Sequence, residues 1–464
     1  MNPLPSPLRR AQPAVVCAAM GAWLALAGPA AAQTAKPPKV QLWMDVSTGG
    51  MAGMPELDAL PGAGAAGMVG SLLGGRPGMG GLGGLKSYGS ARGMGISPAR
   101  VVDIALWNSQ RPGADAEQAI PAGMKMGERL PLLALKPQAP PVKEYEPTEM
   151  PEQYRQERPK GRILVYWGCG EAVRQGQPRA IDLAKAGASD FAGMWSGRYA
   201  VDRGAKVQPG YAVYPNERNT VNLQKDSTLA GEHKVLGDGI PDSMQFTLAA
   251  AQDLMPQIGL NSQGRLQDSV LLSWPAVPLA RGYFLQSMGQ VGDDTVIWSS
   301  ADVPDSGASL FDYLPNASID RWVKDKVLLA PAATQCAVPK GIYAAPGGGE
   351  SRPAMLRMIA YGSESNFAYP PRPADPKVVW EPDWAVRVRV KSQTMAMLGQ
   401  ETPRGRDAAA SAGPSVPAHA PPTATAVPVQ DGSAAAPPTG AAAVLDSLTQ
   451  GGNAVNALRG LFGR

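Results

Sequence analysis

The chain predicts an all-β protein built from two antiparallel β domains. Three observations carry that expectation. Short apolar runs bounded by Pro, Gly, Asn and Asp recur along the sequence, and helical periodicity is scarce. Glycine and proline are abundant, at 54 and 46 residues, whereas phenylalanine occurs only six times. Between the runs lie two segments, 49–97 and 401–440, whose composition does not supply a core.

Residues 1–32 read as a signal peptide: Arg9 and Arg10 precede an apolar run over 14–27, and Ala30, Ala31 and Ala32 form a small-residue cleavage site. The run is short for a membrane anchor, and no later segment is long and apolar enough to span a bilayer as a helix. Cleavage near Ala32 predicts a periplasmic or secreted mature chain. It retains 41 basic and 39 acidic residues, a net +2, so bulk charge drives neither nucleic-acid nor membrane binding. Cys169 and Cys336 are the two cysteines left. In an oxidising compartment such a pair is a disulfide candidate, the alternative being two separate buried thiols.

The first predicted domain covers 33–250. Its opening strand, VQLWMDVST (40–48), places Gln41, Trp43, Asp45 and Ser47 on one face and Leu42, Met44 and Val46 on the other. The Gly/Met-rich stretch 49–97 reads as a flexible insertion, because glycine costs backbone entropy on ordering and offers no side chain to bury. Strand signals resume at RVVDIALWN (100–108) and RLPLLAL (129–135). After a Pro/Glu-rich connector comes GRILVYWGCGE (161–171), a β-branched and aromatic run ended by Gly168 and Gly170. Shorter runs follow near Ile181, Tyr199, Tyr211, Val221 and Phe246.

The second predicted domain covers 262–398. In VLLSWPAVPLARGYFL (270–285), Val270, Leu272 and Trp274 share a strand face, Pro275 and Pro278 stop the strand, and Tyr283 and Leu285 begin the next. This predicts a β-arch that drops Trp274 into a core beside Tyr283. The pattern Trp274, Pro275, Val277, Ala280, Tyr283 resembles the B and C strands of fibronectin type III and related immunoglobulin-like domains. The resemblance extends to TVIWSSA (295–301), MLRMIAYGSES (355–365) and VVWEPDWAVRVRVKS (378–392), and implies a sandwich, with no chemistry attached. Residues 310–342 depart from it as an unusually long middle connection.

The Ala/Pro/Thr-rich 401–440 predicts a disordered linker, and 441–464 an amphipathic C-terminal helix. Leu458, Leu461 and Phe462 are its partner-binding candidates, suited to a protein groove or, beside Arg459 and Arg464, to peripheral membrane contact.

Catalytic equipment is sparse. Of the two histidines, His419 falls in the linker and His233 stands in the polar stretch AGEHKVLGDG, which reads as surface. Cys169 lacks the small flanking residues of a nucleophile elbow. No Cys/His spacing suits zinc and no acidic run suits calcium, so no catalytic residue and no cofactor is assigned. The expected role is therefore a non-enzymatic exported binding or scaffolding protein of the bacterial cell envelope. Its partner would be a protein or envelope component rather than a nucleic acid, met through exposed aromatics and loop tips instead of a deep charged site. Two alternatives stand beside it: a carbohydrate-active hydrolase using paired carboxylates, and a periplasmic copper binder in which Met51 and Met54 supply soft thioether ligands.

Overall fold

The computed structural model describes residues 35–53, 87–93, 100–136, 160–187, 189–191, 198–344, 347, 352–375 and 377–399. The predicted signal peptide, linker and C-terminal helix, with Leu458, Leu461 and Phe462, lie outside the described residues, as does most of the Gly/Met-rich stretch, including Met54. The all-β class is observed. In chain order the strands are β1 (Val40–Thr48), β2 (Arg100–Asn108), β3 (Ala116–Ala119), β4 (Arg129–Ala134), β5 (Arg162–Trp167), β6 (Arg179–Asp182), β7 (Tyr211–Tyr214), β8 (Gly231–Gly237) and β9 (Gln245–Leu248). They continue with β10 (Asn261–Gln263), β11 (Val270–Ser273), β12 (Gly282–Val291), β13 (Asp294–Ser299), β14 (Gln335–Val338), β15 (Ala354–Tyr369) and β16 (Trp384–Leu398). A helix, α1 (Asn316–Lys324), precedes β14.

Thirteen strands form one mixed sheet in the order β6-β5-β13-β12-β15-β16-β1-β2-β7-β4-β3-β8-β9, and β10-β11-β14 form a small antiparallel sheet. Two pairs are parallel, β1 with β16 and β13 with β5. The large sheet thus runs through the boundary expected between residues 250 and 262, because β1 lies between β2 and a strand from the far end of the chain. The two stretches read as separate domains share one hydrogen-bonded sheet. Period-two alternation tells which face a residue occupies, not which strand lies beside it.

One face of the large sheet is apolar. Leu42, Met44 and Val46 of β1 join Val102, Ile104, Val386, Val388, Leu356, Met358, Leu285 and Trp298 in the principal core. The small sheet packs on this face through Val270, Leu272, Trp274, Cys336 and Val338. Two sheets therefore meet face to face, as in a sandwich. Trp274 and Tyr283 meet edge to face with ring centroids 5.6 Å apart, and the Tyr283 hydroxyl accepts the Val277 N–H at 3.0 Å. The turn from β11 to β12 is thus an arch between the sheets, with its tryptophan and tyrosine in one interior. Cys169, just past β5, is bonded to Cys336 of β14, a closure 167 residues long that ties small sheet to large. By the chain-entropy account, such a link stabilises a fold by about 2–5 kcal/mol. At its other end the sheet folds back on itself, so that Phe246 of β9 meets Phe367 of β15 with ring centroids 5.4 Å apart.

The long middle connection is where α1 sits. Ile319 and Trp322, one helical turn apart, are buried with Phe284, Leu310, Ile359 and Tyr361 in a second cluster. That cluster covers part of the opposite face of the large sheet. A third, built on Ala105, Tyr211 and Val213 with Trp43 and Trp107 against it, covers another part. Between the two lies the site.

Candidate functional site

Four adjacent strands bring charged residues into one row. Asp103 of β2 faces Asp45 of β1, Asp45 is in register with Arg389 of β16, and Arg389 with Glu364 of β15. The next row sets Ser47 beside Lys391 and Lys391 beside Tyr361. All of these side chains are buried, with Lys391 1% and Arg389 2% exposed. The row exists because the hydrophobic alternation of β1 and β16 delivers Asp45, Ser47, Arg389 and Lys391 to the face away from the principal core. Glu364 reaches it by a β-bulge. The register slips between Tyr361 and Glu364, and this one-residue insertion moves Glu364 onto the face Tyr361 occupies. Gly362 permits the bulge, since a Cβ there would stand 2.5 Å from the Val390 side chain and 2.7 Å from its carbonyl oxygen.

Arg389 clamps Asp45 bidentately, Nε to Oδ1 at 2.7 Å and Nη2 to Oδ2 at 2.5 Å. Three loops close over this floor. The Tyr313 ring lies above the Arg389 guanidinium at 4.4 Å and the Lys391 ammonium at 4.5 Å. Arg92, from the 3-10 turn Ser90–Arg92, bridges Asp202 at 2.5 Å and Asp312 at 2.9 Å. Gly204 lets the third loop come close: a Cβ there would be 2.5 Å from Arg389 Nη2 and 3.1 Å from Arg92 Cζ. Beyond Arg389, Arg203 reaches Glu364 at 2.7 Å, and Arg387 stands 3.7 Å from the same oxygen.

Burial sets the protonation of this cluster. It pushes the Asp103 carboxyl up to about 7, against the Ala91 N–H it accepts at 2.8 Å and with Asp45 adding to the rise. It brings the Lys391 ammonium down to about 8, opposed by Asp312, whose Oδ1 lies 3.5 Å away. Burial also opposes the Arg389 charge, but the Asp45 clamp more than offsets it and Arg389 stays protonated. Five buried atoms on this face lack any hydrogen-bond partner: Asp103 Oδ1, Glu364 Oε2, Lys391 Nζ, Tyr313 OH and Gln393 Oε1. The Gln393 amide nitrogen, in contrast, donates to the Gly93 carbonyl at 3.0 Å.

This deep charged site was not expected from the sequence. Asp45 and Asp103 stand side by side on neighbouring strands, one of them clamped by arginine, rather than facing each other across a cleft. His233 also differs from its surface reading. It is fully buried, stacked on Phe246 at 4.9 Å, with Nε2 2.9 Å from the Leu229 carbonyl and Nδ1 3.1 Å from Gln118 Nε2. In β8 it alternates inward with Val235, and burial lowers its pKa, so it is a neutral core histidine. Met51 is half-buried and bridges to Met395 through the backbone. Among the described residues no three His, Cys, Asp or Glu side chains group as metal ligands.

Beside the charged cluster, residues 198–204 form a strip pinned at both ends, by Arg198 to Asp305 at 3.0 Å and by Arg203 to Glu364. Ala200 packs on the α1 cluster, while its neighbours Tyr199 and Val201 are 74% and 70% exposed. No protein-family model matches the chain, nor does any curated protein or solved structure.

Proposed function

We propose that this chain is a non-enzymatic, exported binding or scaffolding protein of the bacterial cell envelope, which meets a protein or envelope component through the 198–204 strip. The observation that carries this reading is the exposure of Tyr199 and Val201 on a strip pinned by two ion pairs. An exposed aromatic on a rigid support loses little conformational freedom on binding and is the usual anchor of an interface. The signal-like N-terminus and the Cys169–Cys336 bond support export to an oxidising compartment. The Trp274–Tyr283 arch supports an immunoglobulin-like origin for the β11–β12 region, with the continuous sheet as the departure from that family.

Retention of the purified mature chain on isolated envelopes tests the reading. Tyr199→Asp with Val201→Asp should lower retention at least tenfold while the far-UV spectrum and melting temperature stay unchanged. Equal retention of variant and wild type refutes the strip as the contact. A second reading has one observation in its favour: Asp103, whose buried carboxyl holds its proton up to about 7 beside the Arg389-clamped Asp45, has the character of a general acid. Glycan hydrolysis by the wild type, abolished by Asp103→Asn, would establish the hydrolase instead.

A further inference from the structure

We propose that a row of side chains on the outer face of the large sheet, the face away from the principal core, is a docking groove for this chain's own proline- and glutamate-rich segment, residues 137–159. The row is Tyr211, Trp107, Gln41 and Ala385. The segment joins β4 to β5 and lies outside the described residues. This inference goes beyond the binding reading above and does not depend on it.

The strand pairings oblige this connection to cross the sheet. β4 and β5 stand eight positions apart in strand order, and the pairings between them give both the same direction. The connection from β6 to β7 makes the reverse journey between two strands of the opposite direction. Its course over 203–205 lies on the outer face: the Arg203 carbonyl accepts from Trp43 Nε1 at 3.2 Å and from Arg387 Nη1 at 2.7 Å, and Ala205 is buried with Ala105 and Val213. Reversing both the lateral direction and the strand direction leaves the hand of a crossover unchanged. The two connections therefore share one hand only if they share the outer face, and parallel crossovers are right-handed in about 98% of cases. The opposite face is already filled by the small sheet. Length agrees. Leu135 is level with Gln41, and Arg162 with Val291, which lies five residues beyond Gln286, itself level with Met51. Ten residues and then five separate the two ends along the strands, about 50 Å, and eight strand spacings separate them across, about 38 Å. The chain from Leu135 to Arg162 reaches about 84 Å in polyproline form. That spans the diagonal of about 63 Å and leaves too little for a detour round the small sheet.

The order of residues in the segment matches what it meets on that route. Leu135 donates its N–H to the Tyr211 carbonyl at 2.8 Å and packs on the Tyr211 cluster, so the segment starts at one end of the row. Trp107 lies against Tyr211 with ring centroids 5.1 Å apart, and Trp107, Gln41 and Ala385 are only half-buried. An indole followed by smaller side chains makes a shallow trough, with Trp43 along its side. From β4 to β1 is about 14 Å, which about five residues of polyproline helix span. The first five residues, PQAPP at 137–141, have the composition for it, and proline rings docked on aromatic side chains lose little conformational freedom. The stretch EYEPTEMPE, 144–152, follows with Glu144, Glu146, Glu149 and Glu152 and no base. Further along the same diagonal stand Arg387 and Arg203, which share the carboxylate of Glu364. Beyond them is Arg357, half-buried against the Phe311 ring at 4.1 Å and without a carboxylate partner among the described residues. The segment then carries Arg155 and Arg158, and the chain rejoins the sheet at Gly161, against Asp293 and next to the Arg162–Asp294 pair. Apolar, acidic and basic stretches thus follow in the order of the surfaces that complement them.

The test uses the full mature chain and hydroxyl-radical labelling read residue by residue by mass spectrometry. Replacing the three prolines together, Pro137→Ser, Pro140→Ser and Pro141→Ser, should raise labelling of Trp107 at least threefold. Trp380, half-buried in the β15–β16 connection, is the internal reference and should not change. A second variant keeps the result decisive if the proline variant misfolds. Trp107→Ala should quicken cleavage by a glutamate-specific protease after Glu144 and Glu146 several-fold, relative to cleavage after the exposed Glu381. A same-length Gly/Ser replacement of residues 54–86 tests the other long segment as occupant and should leave Trp107 labelling as in wild type. Unchanged Trp107 labelling in the proline variant, unchanged cleavage in Trp107→Ala, or a rise in Trp107 labelling caused by the 54–86 replacement instead overturns the proposal.

Discussion

The two faces of β1 are built from alternate residues of one nine-residue strand, yet they are held by different physics. On one, Leu42, Met44 and Val46 fill the volume between the large and small sheets. On the other, Asp45 is held by the two parallel bonds of Arg389, and Trp43 donates its indole N–H to the Arg203 carbonyl at 3.2 Å. An apolar face gains from any well-fitting contact. A buried charged face gains only when each charge has its partner, and a buried ion pair seldom adds net stability over apolar residues of the same shape. The charged face is therefore an expensive way to hold a sheet together.

Three measurements sharpen or break that contrast. Asp45→Ala should cause the largest loss, about 3–5 kcal/mol, because it strands the Arg389 guanidinium at the sheet centre. Asp45→Leu combined with Arg389→Met should recover most of it. Urea denaturation of both variants decides, and a double variant as unstable as the single one would show that the pair is required for folding itself. Across the strand, Leu42→Ala should cost about 3 kcal/mol through the void it leaves. No second substitution among the charged residues should rescue it.

The third effect is one of pH. Asp103 holds its proton up to about 7 in the folded state, against about 3.9 for an unfolded aspartate. Between those values the folded chain binds more protons than the unfolded one. Its contribution is therefore complete below about pH 4, falls as pH rises, and is gone above about 7. Lys391, which loses its proton near 8 when folded and near 10.4 when unfolded, has the opposite slope over that higher window. Subtracting the urea midpoints of Asp103→Asn from those of wild type should leave a curve that falls between pH 4 and 7. A flat difference would mean that Asp103 is ionised throughout.

Part of this was legible in the sequence. The polar set Trp43, Asp45, Ser47 and the apolar set Leu42, Met44, Val46 follow from period two alone, and the run VRVRVK at 386–391 carries the same alternation. Trp274 and Tyr283 were legible because prolines stop the first strand and the aromatic residues restart the second. What could not be read is adjacency. Asp45 and Arg389 lie 344 residues apart, and nothing local in either strand says that they are neighbours. Glu364 was hidden by the bulge, which breaks the alternation that would have assigned its face. The roof was hidden because Arg92, Asp202 and Asp312 sit in turns, where no periodicity operates. His233 was misread because its neighbours Glu232 and Lys234 point outward and lend the stretch a polar appearance.

The parallel pairing of β1 with β16 has a consequence for the order in which the sheet can assemble. A chain synthesised from its N-terminus delivers β1 first and β16 more than 300 residues later. Until then the middle of the large sheet has no second neighbour, and Arg389, the base that clamps Asp45, has not arrived. Closure of so distant a contact is slow. The central strand therefore waits, half paired, for nearly the whole of synthesis.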